Sequence, residues 1–200
     1  MAMSSDPQSS VPYRQIRALY DEKTITLYQA YSASIADAAV RRQKLSASPD
    51  FKFSRMTWIK PSYSLKDARQ SRILALTMTH ANFHALLSEA IVVHGQTLSE
   101  ADKAKPVRVQ WDPERGPKLE VKDYRSIQIG IGEGLSRKWA EEWIVGIEDV
   151  TERALGLKRA VARKVENDWS EEALIGEGWL PKERVYEVPK ELRRALRMDE

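Results

Sequence analysis

The apolar residues of this chain recur with two different periods, and the switches between them outline its elements. Residues 23–31, Lys-Thr-Ile-Thr-Leu-Tyr-Gln-Ala-Tyr, are rich in β-forming types and alternate in character, the spacing of a strand with one buried face. A short helix is expected before it, over 13–20. After it, Ser34 is placed to N-cap a helix over 35–45 whose Ile35, Ala38 and Ala39 form a small apolar face, and residues 46–50 break that helix. Residues 55–60 read as a second strand closed by Pro61, and 72–78 as a more buried third. Thr79 then caps a helix to about residue 93, with Phe83, Leu86, Leu87 and Ala90 as its inner stripe, and His94 at its end meets the helix dipole. Residues 97–105 read as a loop.

Residues 107–111 and 124–129 form two further strands expected to pair, with 112–117, Asp-Pro-Glu-Arg-Gly-Pro, as a wide hairpin loop. A helix over 135–143 is entered from Gly130, Gly132 and Gly134. Residues 144–150 suit either a strand or more helix, 151–167 an amphipathic charged helix, and a last helix follows Pro189. Strands lead and helices trail, which predicts an α+β class. The expectation is a single domain over 13–200, a mainly antiparallel central sheet with flanking helices and a helical C-terminal region, after a disordered polar lead-in over 1–12.

Composition narrows the chemistry. Two hundred residues, 42% hydrophobic and 30% charged, can bury a substantial core. No apolar run approaches the ~18 residues of a membrane span, and the polar N-terminus lacks the apolar centre of a secretory signal. The expected location is therefore cytoplasmic or nuclear, not secreted and not in a membrane. The chain has no cysteine, which excludes disulfides, thiolate metal sites and a cysteine nucleophile. Its 32 basic and 29 acidic residues leave a net charge of +3, and the modest basic clusters at Arg41–Arg42, 153–164 and 193–197 read more simply as solvated helix faces than as a nucleic-acid footprint.

Three islands mix aromatic, charged and amide side chains inside strand-like sequence. In Arg55-Met-Thr-Trp-Ile-Lys-Pro-Ser62, alternation puts Met56, Trp58 and Lys60 on one face and Arg55, Thr57 and Ile59 on the other. An open Trp58 beside a cation can stack a base or a nicotinamide-like ring while Lys60 takes a phosphate; alternatively the indole covers the core and Lys60 snorkels past it. In the second island Gln110 and Asp112 fall on one face with Arg108, a pair able to grip a ribose hydroxyl and stabilise a developing cation, although Asp112 to Arg115 also reads as a capped turn. In the third, Ser126, Gln128 and Gly130 alternate with Arg125, Ile127 and Ile129. The glycine-rich exit at 130–134 could present N–H groups to a phosphate, but its spacing matches no phosphate-binding fingerprint, and Glu133 would repel an anion. His80 and His84 share one helix face as a metal pair would, without a third ligand, and a solvated pair is the simpler reading. No nucleophile elbow or paired-acid arrangement is legible.

The same residues carry a family likeness. The blocks at 13–18, 28–31, 55–62, 109–115 (Val-Gln-Trp-Asp-Pro-Glu-Arg), 124–130 and 142–151 resemble, in order, the signature blocks of the domain of unknown function 4291 family of bacteria and fungi. The resemblance covers about Tyr13 to Pro189. It implies a fold unit and a motif map but no reaction, since the family has no established activity. Members typically follow the Lys-Pro-Ser block with a segment resembling Trp-Met-x-Tyr-Arg-Ser-Gly, most of which this chain lacks after Ser62.

Two functions fit these residues. The first is a transferase-like enzyme on a nucleotide or nucleic acid, resembling ADP-ribosyltransferases in its Gln-x-acid strand, with Gln29 standing where those enzymes usually carry His or Arg. Its expected catalytic residues are Gln110, Asp112 and Glu114, its substrate-binding residues Arg17, Tyr28, Gln29, Arg55, Trp58, Lys60, Arg125 and Gln128, with NAD as the candidate cofactor and no metal. The second is a non-enzymatic module binding RNA or a protein through the same aromatic and basic surface.

Overall fold

A computed structural model describes residues 12–63, 71–93, 97–162 and 169–198. In chain order the elements are β1 (Arg17–Ala18), β2 (Thr24–Tyr31), α1 (Ala33–Arg42), β3 (Thr57–Ile59), β4 (Arg72–Thr79), α2 (His80–Ser88), β5 (Ala90–Val92), α3 (Glu100–Ala104), β6 (Val107–Arg115), β7 (Val121–Ile131), α4 (Glu133–Lys138), β8 (Ile144–Asp149), α5 (Thr151–Ala162), α6 (Glu171–Gly176), β9 (Arg184–Val185) and α7 (Lys190–Ala195). One sheet has the order β2-β4-β8 and a second β3-β7-β6-β5, while β1 pairs with β9. A single antiparallel bridge between Tyr28 and Lys60 joins the two larger sheets, giving the run β8-β4-β2-β3-β7-β6-β5. All its strand pairs are antiparallel except β5 with β6, so the architecture is α+β around a mainly antiparallel sheet.

Alternation sets the layers. Ile25 and Leu27 of β2, Leu74, Leu76 and Met78 of β4, and Val107, Val109, Ile127 and Ile129 of the β6–β7 pair point into the main core with Phe83, Leu86 and Leu87 of α2. The opposite face of β2 and β4, carrying Tyr28, Ile73 and Ala75, is closed by Ala154, Leu157 and Ala160 of α5 and by Tyr63. These strands are thus covered on both faces. The corresponding face of β6–β7 is polar: Arg108 lies opposite Gly130, Gln110 opposite Gln128 and Asp112 opposite Ser126.

Several elements differ from the sequence reading. Residues 13–20 are not helical, because the Arg125 N–H donates to the Tyr13 carbonyl at 2.6 Å, the Gln15 N–H donates to the Arg125 carbonyl at 3.2 Å, and β1 pairs with β9. Those backbone groups find partners in the sheet instead of in a local turn. Helix α1 starts two residues early, at Ala33, with Ser32 at its N-cap position. Thr79 does cap α2, accepting the Asn82 N–H at 3.2 Å, but the helix ends at Ser88 and Ala90 lies in β5, where Ile91 and Val92 suit strand geometry. Within the expected loop at 97–105, Ser99 and Asp102 form a reciprocal capping box that starts α3. Strand β6 continues through Arg115 with an irregularity at Glu114, so the hairpin turn is the shorter Gly116–Glu120, closed by a 2.9 Å bond from the Gly116 N–H to the Glu120 carbonyl. Pro113 is tolerated because β5 pairs only with residues 107–109, leaving that edge without a demand for its N–H. The helix expected at 135–143 starts at Glu133 and ends in a π turn, Trp139–Trp143, and the ambiguous segment after it is the strand β8. His94 and the expected helix end at 167 lie outside the described residues.

Candidate functional site

Past the Tyr28–Lys60 bridge, the end of β2 and the start of β3 separate, and a cavity of about 630 Å³ occupies the gap. Gln29 and Tyr31 line it from β2, Trp58 from β3, Gln128 from β7, and Lys52 and Arg55 from the turn before β3. The Tyr31 hydroxyl donates to Gln29 Oε1 at 2.9 Å and holds that amide in place. Burial raises the Tyr31 pKa, so the phenol remains a donor. Trp58 lies opposite Gly130, and a Cβ at residue 130 would come within 3.0 Å of three indole carbons. The glycine is what lets the ring lie flat on the sheet. Gly130→Ala is therefore expected to shift the Trp58 indole N–H signal in an NMR spectrum while leaving the melting temperature nearly unchanged; an unmoved signal would mean that the ring does not rest on residue 130.

A second, smaller pocket of about 50 Å³ lies toward the other end of the same polar face, bounded by Arg17, Ser62, Tyr63, Glu114, Tyr124 and Glu183. Glu183 Oε1 accepts the Tyr63 N–H at 2.5 Å. Burial pushes its carboxyl up to about 8; the Tyr63 hydrogen bond opposes this, the nearby Glu114 adds to it, Arg17 opposes it and Glu171 adds to it. Glu114 is buried, with Oε1 accepting the Arg115 N–H at 2.8 Å and Oε2 without a partner among the described residues. The Arg17 guanidinium sits 5.8 Å from the centre of the Tyr124 ring.

The candidates from sequence thus divide. Gln29, Arg55, Trp58 and Gln128 meet at the larger cavity, and Arg17 and Glu114 at the smaller. Gln110 and Asp112 lie on the polar face of the sheet between them, and Lys60 is half-buried at the bridge. Tyr28 is buried edge-on against Tyr63, with ring centroids 5.0 Å apart and its hydroxyl without a hydrogen-bond partner among the described residues. Arg125 alternates onto the core side, where Nε donates to the Tyr13 hydroxyl and Nη1 to the Trp111 carbonyl, both at 2.7 Å. Its guanidinium ties the N-terminal segment to β7 and faces neither cavity. Glu183, Ser62, Tyr63 and Tyr31 were not singled out from sequence. Tyr31 and Tyr63 stand within or beside named blocks, but nothing local distinguishes Glu183 in a tail of many charges.

His80 and His84 are a partly exposed pair that share one phenol as partner. His80 Nδ1 lies 2.9 Å and His84 Nε2 3.0 Å from the Tyr186 hydroxyl, and His80 Nε2 is 2.9 Å from the Asp21 carbonyl. Burial lowers the His84 pKa, and His80 lowers it further. Among the described residues no group of three or more His, Cys, Asp or Glu is placed to hold a metal ion, and no helix is long and apolar enough to cross a membrane.

No curated protein matches this sequence. A family model described as Domain of unknown function (DUF4291) matches residues 15–186, which takes in both cavities and the polar face joining them. The chain belongs to the DUF4291 family.

Proposed function

We propose that this protein binds a nucleotide in the cavity between β2 and β3 and acts on it as a transferase. One observation carries the reading: Gln29, Trp58 with Arg55, and Gln128, from three separate sequence blocks, line one cavity of about 630 Å³, a volume in the range of small-molecule sites. The indole face offers a stacking platform for a base or nicotinamide ring, and the two amides supply both donors and acceptors to its edge. Lys52 and Arg55, both exposed, are placed for phosphate charge at the rim. Gln110 stands directly across from Gln128, and Asp112 follows on the same face, about 7 Å further along the strand. In this reading Gln110 orients the ribose and Asp112 stabilises positive charge developing at its anomeric carbon.

Isothermal titration with NAD and ADP-ribose tests the binding, and release of nicotinamide from NAD tests the transfer. Trp58→Ala is expected to weaken binding about ten-fold or more, the scale of one lost base-stacking contact. Asp112→Ala is expected to leave affinity within a few-fold and abolish nicotinamide release. Absence of binding at millimolar nucleotide removes the reading. Salt-sensitive binding of single-stranded RNA that survives Asp112→Ala would replace it with the RNA-binding alternative.

A further inference from the structure

We propose that His80, His84 and Tyr186 form an acid-sensitive latch that holds the C-terminal tail, from β9 through α7, against α2, and that this latch tolerates one added proton but opens on the second. The partners fix which ring nitrogens carry hydrogen. His80 Nε2 lies 2.9 Å from the Asp21 carbonyl, which can only accept, so that nitrogen carries its hydrogen. In neutral His80 the other nitrogen, Nδ1, is then bare and takes the Tyr186 hydroxyl hydrogen across 2.9 Å. With that hydrogen committed, the phenol oxygen accepts from His84 Nε2–H at 3.0 Å. The result is a one-way chain from His84 through Tyr186 and His80 to the main chain at Asp21, in which every hydrogen is accepted.

One proton does not break this chain. Placed on His84 Nδ1, it leaves the chain as it stands; placed on His80 Nδ1, it reverses the order, so that His80 donates to the phenol and the phenol to a bare His84 Nε2. A second proton makes donors of both facing nitrogens. The hydroxyl hydrogen then has no acceptor within the cluster, and two imidazolium nitrogens stand no more than about 6 Å apart across one oxygen. Burial and the neighbouring Tyr20 push the phenol up to about 12, so it keeps its hydrogen throughout the acid range. The surrounding charges do not relieve the second imidazolium. The Asp21 carboxylate, held ionised by the Lys23 and Thr24 N–H groups at 2.8 and 2.7 Å, is the anion that meets a first imidazolium at His80. Arg184, over the Tyr20 ring at 4.3 Å, adds like charge, and Glu187 is engaged by Arg193 at 3.4 Å. Glu89 of α2 and Lys190, Glu191 and Arg194 of α7 are exposed, where solvent screens them.

Tyr186 stands between the tail's two other holds, the β1–β9 pairing and the bond from the Trp111 indole N–H to the Leu196 carbonyl at 2.9 Å, neither of which contains a titrating group. That second bond makes the Trp111 indole N–H a reporter of tail docking. The Leu76 amide, on β4 between β2 and β8, serves as the control for the rest of the fold. NMR of the full chain from pH 8 to 4, reading the histidine ring nitrogens together with hydrogen exchange of these two N–H groups corrected for intrinsic rates, tests the latch. The histidines are expected to titrate in two separated steps, with Trp111 exchange rising only in the second, about ten-fold per pH unit, while Leu76 stays protected. His84→Gln keeps a donor near the position of Nε2 but takes no proton, and is expected to cut Trp111 exchange at the acid end about ten-fold or more. Tyr186→Phe, which removes the shared oxygen, is expected to narrow the separation of the two steps, and decides the matter with the parent if His84→Gln does not melt cooperatively. A single shared step, Trp111 exchange that rises with the first proton, a step separation unmoved by Tyr186→Phe, exchange unchanged by His84→Gln, or Trp111 and Leu76 opening together each overturns the proposal.

Discussion

Trp139→Ala is expected to destabilise the protein by about 3–5 kcal/mol, the scale of removing a fully enclosed aromatic side chain. Trp139 is 0% exposed and belongs to the main core cluster, where the π turn between α4 and β8 presents it. Fixed on both sides by regular elements, that turn has little freedom to collapse into the space left behind. A domain stabilised by only about 5–15 kcal/mol would lose a large fraction of its margin. The indole N–H has no hydrogen-bond partner among the described residues, so the ring is held by packing and carries a buried-donor penalty. Trp139→Phe, which keeps most of the apolar volume and removes that donor, is therefore expected to lose clearly less than Trp139→Ala. Urea denaturation followed by circular dichroism measures both. Equal losses would mean that the N–H is bonded in solution, and a loss below about 1 kcal/mol for Trp139→Ala would mean that the core closes over the gap.

The elements legible in the sequence are those whose pattern and partners agree locally. β2 and β4 alternate cleanly, Thr79 stands at a real cap, and the alternation of β6 and β7 correctly set Gln110 and Asp112 on the face that also carries Ser126, Gln128 and Gly130. What remained hidden depends on distant partners. Residues 13–15 look helical until Arg125, 112 positions after Tyr13, offers them backbone groups and a guanidinium. Ala90–Val92 reads as the end of a helix until β6 comes alongside in parallel. The candidate site follows the same rule. Trp58, Gln29 and Gln128 could be named from residue type, but their shared cavity exists because β2 and β3 hold together only at Tyr28 and Lys60. Glu183 becomes visible only once the tail folds back, setting Val185 beside Arg17 and its own carboxyl against Tyr63.

Glu183→Gln should stabilise the protein increasingly as pH rises. The carboxyl is displaced from an ordinary value near 4.5 to about 8, with burial the largest cause, so the folded chain holds a proton that the unfolded chain has released throughout that window. A raised carboxyl contributes stability that is complete below pH 4.5 and is lost on the way to pH 8, at about 1.4 kcal/mol for each pH unit crossed. Glutamine keeps the shape and can still accept the Tyr63 N–H through its amide oxygen, but it has no charge to keep out of solvent. His84, whose pKa burial lowers, acts in the opposite sense: its contribution is present above its unfolded pKa and is lost as pH falls, equally in both proteins. The difference between variant and parent therefore isolates Glu183. Unfolding free energies measured by urea titration from acid to mildly alkaline pH should show that difference near zero at the acid end, widening in favour of Glu183→Gln toward pH 8 and then levelling off. A difference that stays constant across the range would show that Glu183 ionises normally in the folded protein, and would place its carboxyl in water instead of against Tyr63.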